Sequence, residues 1–260
     1  MKRLLIILLF SIIYFHKSEG QVINIKKAVE EQVIDYNIIG SFDRLQKMDF
    51  LDANGQYYGK CMTMSMHSNI DSSVVIYIEN GLMLICEDTL TQNMVLSEPA
   101  YVKLNPKEIK TFQLYAMCAE IHDGIPNKLT QYRLGNMADS NLIYITESIN
   151  ELLMNNIAGQ GAVWAYTDGA TEEDLLKYGA TNTSIEKTIE ILNKSNVVTR
   201  LNPILINDSS KVDSKVNRSS EAKYKYHILV NTYYIYLAGA VFLILIGTII
   251  FLLTRKSNSV

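Results

Sequence analysis

The sequence predicts an α+β domain, a β-sandwich or meander in its N-terminal half followed by a helical half, plus one C-terminal transmembrane helix. Three observations carry that reading: alternating apolar runs between Met62 and Cys118, a switch to helical spacing after Pro126, and an uncharged apolar run near the C-terminus. With 260 residues, 48% hydrophobic and 20% charged, the chain can bury a core and is not a disordered polymer. Its 24 basic and 27 acidic residues are unevenly placed. Residues 21–207 carry 14 basic against 23 acidic, a formal −9, which disfavours nucleic acid as a partner.

Taken from the N-terminus, Lys2 and Arg3 precede an apolar stretch from Leu4 to Phe15, and Ser18 and Gly20 place small residues at −3 and −1 of a cut before Gln21. Residues 1–20 therefore read as a secretory signal peptide. Residues 21–207 form the extracytoplasmic domain and 208–232, rich in Ser and Lys, a stalk or linker. Residues 233–253 form the transmembrane helix: the twenty from Tyr234 to Leu253 lack any charge, and at 1.5 Å per residue they span about 30 Å. Tyr233, Tyr234 and Tyr236 form an interfacial belt, Arg255 and Lys256 a basic stop, and 254–260 a cytoplasmic tail. The expected location is the cell membrane, single-pass, with the domain outside the cytoplasm.

Within the domain, Met62, Met64 and Met66 alternate with Thr63, Ser65 and His67, the period of a strand with one buried face. Asn80-Gly81 between VVIYIE and LMLICE predicts a β-hairpin. Further strands are expected at 94–96, 101–104 and 109–118, separated by Pro99 and by the Asn105-Pro106-Lys107 turn. The last puts Phe112, Leu114, Ala116 and Cys118 on one face. Then Leu142, Ile145, Ile149, Leu152 and Leu153 recur at helical spacing behind a cap at Asp139 or Ser140. The apolar segment 160–166 ends at Asp168-Gly169. Thr171 opens a helix with acids in its first turn and Gly179 closes it, and Thr183 or Ser184 caps a last helix along Ile185, Ile189 and Leu192.

Cys61, Cys86 and Cys118 form an odd set in an exported chain. One reading is a disulfide between two of them, Cys86 with Cys118 on packed strands, or three buried thiols. A second joins Cys118 in YAMCAE to Gln160 in GQGAVWAYTD. These two blocks resemble those of the thioester domains of bacterial surface adhesins, where a Cys on a strand pairs with a Gln in a TQxAxW-like block. Here Gln160, Ala162 and Trp164 are kept and Gly159 stands in place of the Thr. The resemblance implies an intramolecular Cys118–Gln160 thioester that captures a nucleophile on a partner surface. Trp164, together with Val163 and Tyr166, would shield it from water, and His122 or a helix N-terminus near Gln160 would activate the thiol.

Glu120, His122 and Asp123 concentrate oxygen and nitrogen donors in four positions, but with four His in the whole chain they read as a loop acid, a satisfied His and a turn, and no metal site is expected. The chain has no Gly-rich phosphate loop, GxSxG, HExxH or CxxC, so neither a catalytic residue nor a cofactor is assigned. Three functional classes follow. The first is a membrane-anchored extracytoplasmic binding or adhesion protein, with or without the thioester. The second is an envelope scaffold or assembly subunit with a structural disulfide, and the third a hydrolase using Glu120, His122 and Asp123.

Overall fold

The computed structural model describes residues 21–42 and 57–203. The chain divides into two compact units, Met1–Ile206 and Asn207–Val260. The expected signal peptide, stalk, transmembrane helix and tail all lie outside the described residues, among which no helix is long and apolar enough to cross a membrane. Mixed sheet and helix in one unit make this an α+β fold.

Strand β1 (Gln21–Asn24) leads directly into helix α1 (Ile25–Glu30), whose first turn is capped by the Asn24 side chain accepting from the Lys26 N–H. Strands β2 (Ile34–Gly40), β3 (Tyr58–Ser68), β4 (Val74–Ile78), β5 (Leu82–Cys86), β6 (Met94–Leu96), β7 (Ala100–Leu104), β8 (Ile109–Cys118) and β9 (Gln131–Met137) follow. Six of them close into an antiparallel barrel in the order β2-β3-β8-β6-β5-β9, and β1-β4-β7 form a separate three-stranded sheet. Closure removes the open edges that a sandwich would leave. The sequence suggested a sandwich because its reading of the strands began only at Met62, and β2 and β9, which complete the ring, carry weaker alternation.

The Asn80-Gly81 hairpin is likewise corrected. Gly81 does occupy the left-handed region, φ +75°, as a turn demands. However, β4 pairs with β1 and β7 while β5 pairs with β6 and β9, so the turn passes the chain from the open sheet into the barrel.

The methionine stripe fills the barrel as the alternation predicts. Met62, Met64 and Met66 are buried and their neighbours Thr63, Ser65 and His67 half-buried. Leu114, Ala116 and Cys118 of β8 point to the same interior. Met117, on the opposite face, is also fully buried, because the helices cover the barrel wall there.

Those helices are α2 (Ser140–Glu151), α3 (Ile157–Thr167), α4 (Glu172–Lys177) and α5 (Asn182–Lys194). Asp139 caps α2 and Thr171 caps α4 in a reciprocal capping box with Asp174. The cap of α5 is Thr181, not Thr183 or Ser184; Ser184 sits three residues on and closes the box from inside the helix. Leu153, which the helical spacing placed on the packed face of α2, lies past the helix end at φ +56° and is exposed.

Candidate functional site

Helix α3 is apolar on nearly all sides, and eight consecutive residues from Ala158 to Ala165 are buried. It lies between the barrel and α5, and two glycines permit that approach. A Cβ on Gly161 would come within 2.7 Å of Thr188 Oγ1 on α5. One on Gly159 would meet the Met154 carbonyl oxygen at 2.3 Å, so packing leaves no room for the Thr that the adhesin-like block carries at this place. Gln160, between them, is held on the barrel side in the first turn of the helix, its N–H donating to Asn156, the N-cap residue.

The Gln160 side chain meets Cys118 at the end of β8. Cys118 N–H donates to Gln160 Oε1 at 2.8 Å, and Gln160 Nε2 donates to the Cys118 carbonyl oxygen at 2.8 Å. Both residues are fully buried. The two hydrogen bonds hold the carboxamide against the Cys118 main chain across 42 residues of sequence. Its carbonyl carbon is one bond from each bonded atom, hence no more than about 4 Å from that backbone, and the Cys118 thiol branches from the same Cα. Cys118 N–H also donates to the Tyr57 carbonyl oxygen at 2.9 Å, which continues the β3–β8 ladder past Tyr58.

Farther along, α3 is tied to the same chain segment again, where Ile121 N–H donates to Asp168 Oδ2 at 3.2 Å. Helix and strand end are thus pinned at both ends of the contact.

Of the three residues expected to shield the pair, Trp164 alone belongs to the aromatic cluster beside it; Val163 packs in the helical core and the Tyr166 hydroxyl donates to Asp139. Trp164 is fully buried; its ring meets Tyr57 edge-on at 5.8 Å and Tyr178 at 5.1 Å, with Tyr57 and Tyr178 6.3 Å apart. Tyr57 and Tyr178 are half-buried. Tyr178 comes from the end of α4, and nothing in its sequence neighbourhood marks it.

Burial pushes the Cys118 thiol well above its ordinary range, and Cys61 and the Glu120 carboxylate push it further, so it rests as the neutral thiol. Burial likewise pushes Cys61 up to about 12, its Sγ donating to the Ala116 carbonyl oxygen at 3.4 Å. Glu120 is also raised by burial, although its carboxylate accepts from Asn93 N–H at 2.6 Å and from Asn93 Nδ2 at 2.9 Å.

The disulfide expected between Cys86 and Cys118 is not formed, and all three cysteines are free. Strand β6 lies between β5 and β8, which sets Cys86 and Cys118 two strand spacings apart, roughly 10 Å and beyond the reach of a bridge. Cys61 is on the strand adjacent to Cys118 but displaced along it by about three residues, again roughly 10 Å.

Glu120, His122 and Asp123 do not converge. Glu120 turns to Asn93, while His122 and Asp123 are exposed on the loop after β8, His122 acting electrostatically on Asp174. Among the described residues no group of three His, Cys, Asp or Glu gathers to hold a metal. Two surface clefts, one of about 480 Å³ bordered by Tyr58, Thr181 and Lys187 and one of about 540 Å³ bordered by Glu87, Asp88 and Thr130, are lined by neither Cys118 nor Gln160. No protein-family model, curated protein or solved structure matches the chain. The reading therefore rests on the residues themselves: a buried carboxamide bonded to the main chain of a buried cysteine, beside an aromatic cluster, between a barrel and a helix.

Proposed function

We propose that this protein is a membrane-anchored extracytoplasmic binding protein that captures its partner covalently through a Cys118–Gln160 thioester. The observation that carries it is the paired hydrogen bonding of the Gln160 carboxamide to Cys118, both fully buried. Formation joins Cys118 Sγ to Gln160 Cδ and expels Nε2 as ammonia, which leaves with the thiol proton. Gln160 Oε1 keeps its bond from Cys118 N–H throughout. The neutral resting thiol gives up its proton in the step, and the expelled ammonia is where that proton ends.

Capture reverses the sense of the step. A partner's amine adds to the Gln160 carbonyl carbon, the C–S bond breaks, Cys118 recovers its proton, and the product is an amide at Gln160. Until then the acyl carbon survives only where water is kept out, which the burial of Trp164 and its contacts with Tyr57 and Tyr178 favour. An acidic domain held outside the membrane suits such a role, and the signal peptide and single span read from the sequence supply that setting.

A second reading has one supporting observation: the carboxamide bonds both main-chain groups of Cys118, sharing the N–H with the Tyr57 carbonyl, so Gln160 can be a purely structural clasp in a scaffold subunit. Incubation of the full chain with methylamine separates the two. The thioester predicts methylamide at Gln160 together with one newly alkylatable thiol at Cys118, and both must be lost in Cys118→Ala. A structural clasp predicts no adduct, and that outcome overturns the proposal.

A further inference from the structure

Among the described residues the Trp164 indole N–H has no hydrogen-bond partner, although Trp164 is fully buried. A buried donor left unmade is costly to the fold, and each such group calls for an explanation in packing or in function. Trp164 lies one helical turn beyond Gln160 on α3, so the two share a face. Helical side chains lean back toward the N-terminus, which lays the Trp164 ring over the turn that carries Gln160.

Its neighbours place it at the same centre. Tyr57, edge-on to the indole, is the residue whose carbonyl accepts from Cys118 N–H. The faces of Tyr57 and Tyr178 are at best weak acceptors for an N–H group. Gln160 Oε1, by contrast, has one lone pair engaged by Cys118 N–H and a second to give.

We infer that the Trp164 indole N–H is the second donor of an oxyanion site for acyl chemistry at Gln160, the Cys118 N–H being the first. This rests on the thioester reading above. When Cys118 Sγ bonds to Gln160 Cδ, the carbonyl electron pair moves onto Oε1, both donors hold the oxyanion, and collapse expels ammonia carrying the thiol proton. When an amine attacks the thioester, the same oxygen becomes the oxyanion, and collapse breaks the C–S bond and returns a proton to sulfur. The amine is the only co-reactant in either step. Such donors act where charge develops, in a site closed to water, and removal of one slows an acyl transfer by about a hundredfold or more.

The inference separates Trp164 as a donor from Trp164 as a mere cover. Two variants of the full chain are compared with the wild type: Trp164→Phe, and Trp164→3-benzothienylalanine, which keeps the indole shape with sulfur in place of N–H and decides the matter should the Phe variant not fold. The readouts are the rate of methylamine incorporation at Gln160, the rate of thioester hydrolysis in buffer, and the thermal unfolding midpoint. A donor predicts both rates lower by about a hundredfold with the midpoint of the isostere unchanged or raised. A cover predicts unchanged incorporation and faster hydrolysis, and that result overturns the inference while leaving the thioester in place. A wild-type chain that takes up no methylamine overturns the thioester itself and this inference with it.

Discussion

Cys118 and Gln160 depend on each other unequally. The Cys118 carbonyl oxygen takes its bond from Gln160 Nε2, whereas Gln160 loses no polar partner if only the Cys118 side chain is cut back, because both bonds run to its main chain. Neither Gln160→Ala nor Cys118→Ala can form the thioester, so the two compare directly: Gln160→Ala strands a buried carbonyl and opens a void, Cys118→Ala keeps both hydrogen bonds, and Gln160→Ala should be the less stable by about 1–3 kcal/mol. Denaturant unfolding of the two variants measures the difference, and equal costs would mean that the paired hydrogen bonds contribute little. The sequence marked both residues by their blocks. It left the Cys86–Cys118 alternative open because strand order, which puts β6 between them, is a long-range property that no local pattern encodes. It missed Tyr57 and Tyr178 for a similar reason: each is one Tyr among 16, and only the fold singles them out.

At the scale of elements, caps and periodicity were the legible part. Asp139 and Thr171 announce α2 and α4 through side chains that accept the first free N–H groups. Thr181 was overlooked because its box closes with Ser184 where Glu or Gln is usual. Helix α2 also carries a titrating strain. Burial, and then Glu151 one turn away, raise the half-buried Glu147 to about 7. A carboxyl raised in the folded state contributes its full share of stability below its ordinary range, and that share is lost as pH rises from about 4.5 to about 7. Glu147→Gln should therefore be the more stable protein at about pH 8, by about 1 kcal/mol after allowance for the solvent-exposed half of the group, and the gap should close near pH 4. Thermal unfolding across that range checks the sign, and a gap that widens toward low pH would refute it.

For the whole molecule, the barrel's seams differ greatly in extent. Strands β3 and β8 share eight register pairs around one bulge, whereas β2 meets β9 at two, Ile38 with Tyr132 and Ile39 with Gln131, and β5 meets β6 at two, Met83 with Val95 and Leu84 with Met94. Local opening follows the fewest contacts. Hydrogen exchange should therefore be faster along the β2–β9 and β5–β6 seams than along β3–β8, whose end carries Cys118; uniform protection around the ring would contradict this. The same inequality explains the limits of the sequence reading. The strong alternation of the Met62–Met66 stripe and of β8 marks the deep side of the barrel, while closure rests on a short contact between strands with little period of their own. The α+β class was legible and the barrel was not.

The intact mass of the full chain, purified without reductant, is the most direct test of the central claim. The account predicts a deficit of one ammonia that peptide mapping assigns to a cross-link between the segments bearing Cys118 and Gln160, as distinct from ammonia lost by cyclisation of an N-terminal Gln21. An unmodified mass, or a deficit confined to residue 21, would contradict it and leave Gln160 as a structural clasp.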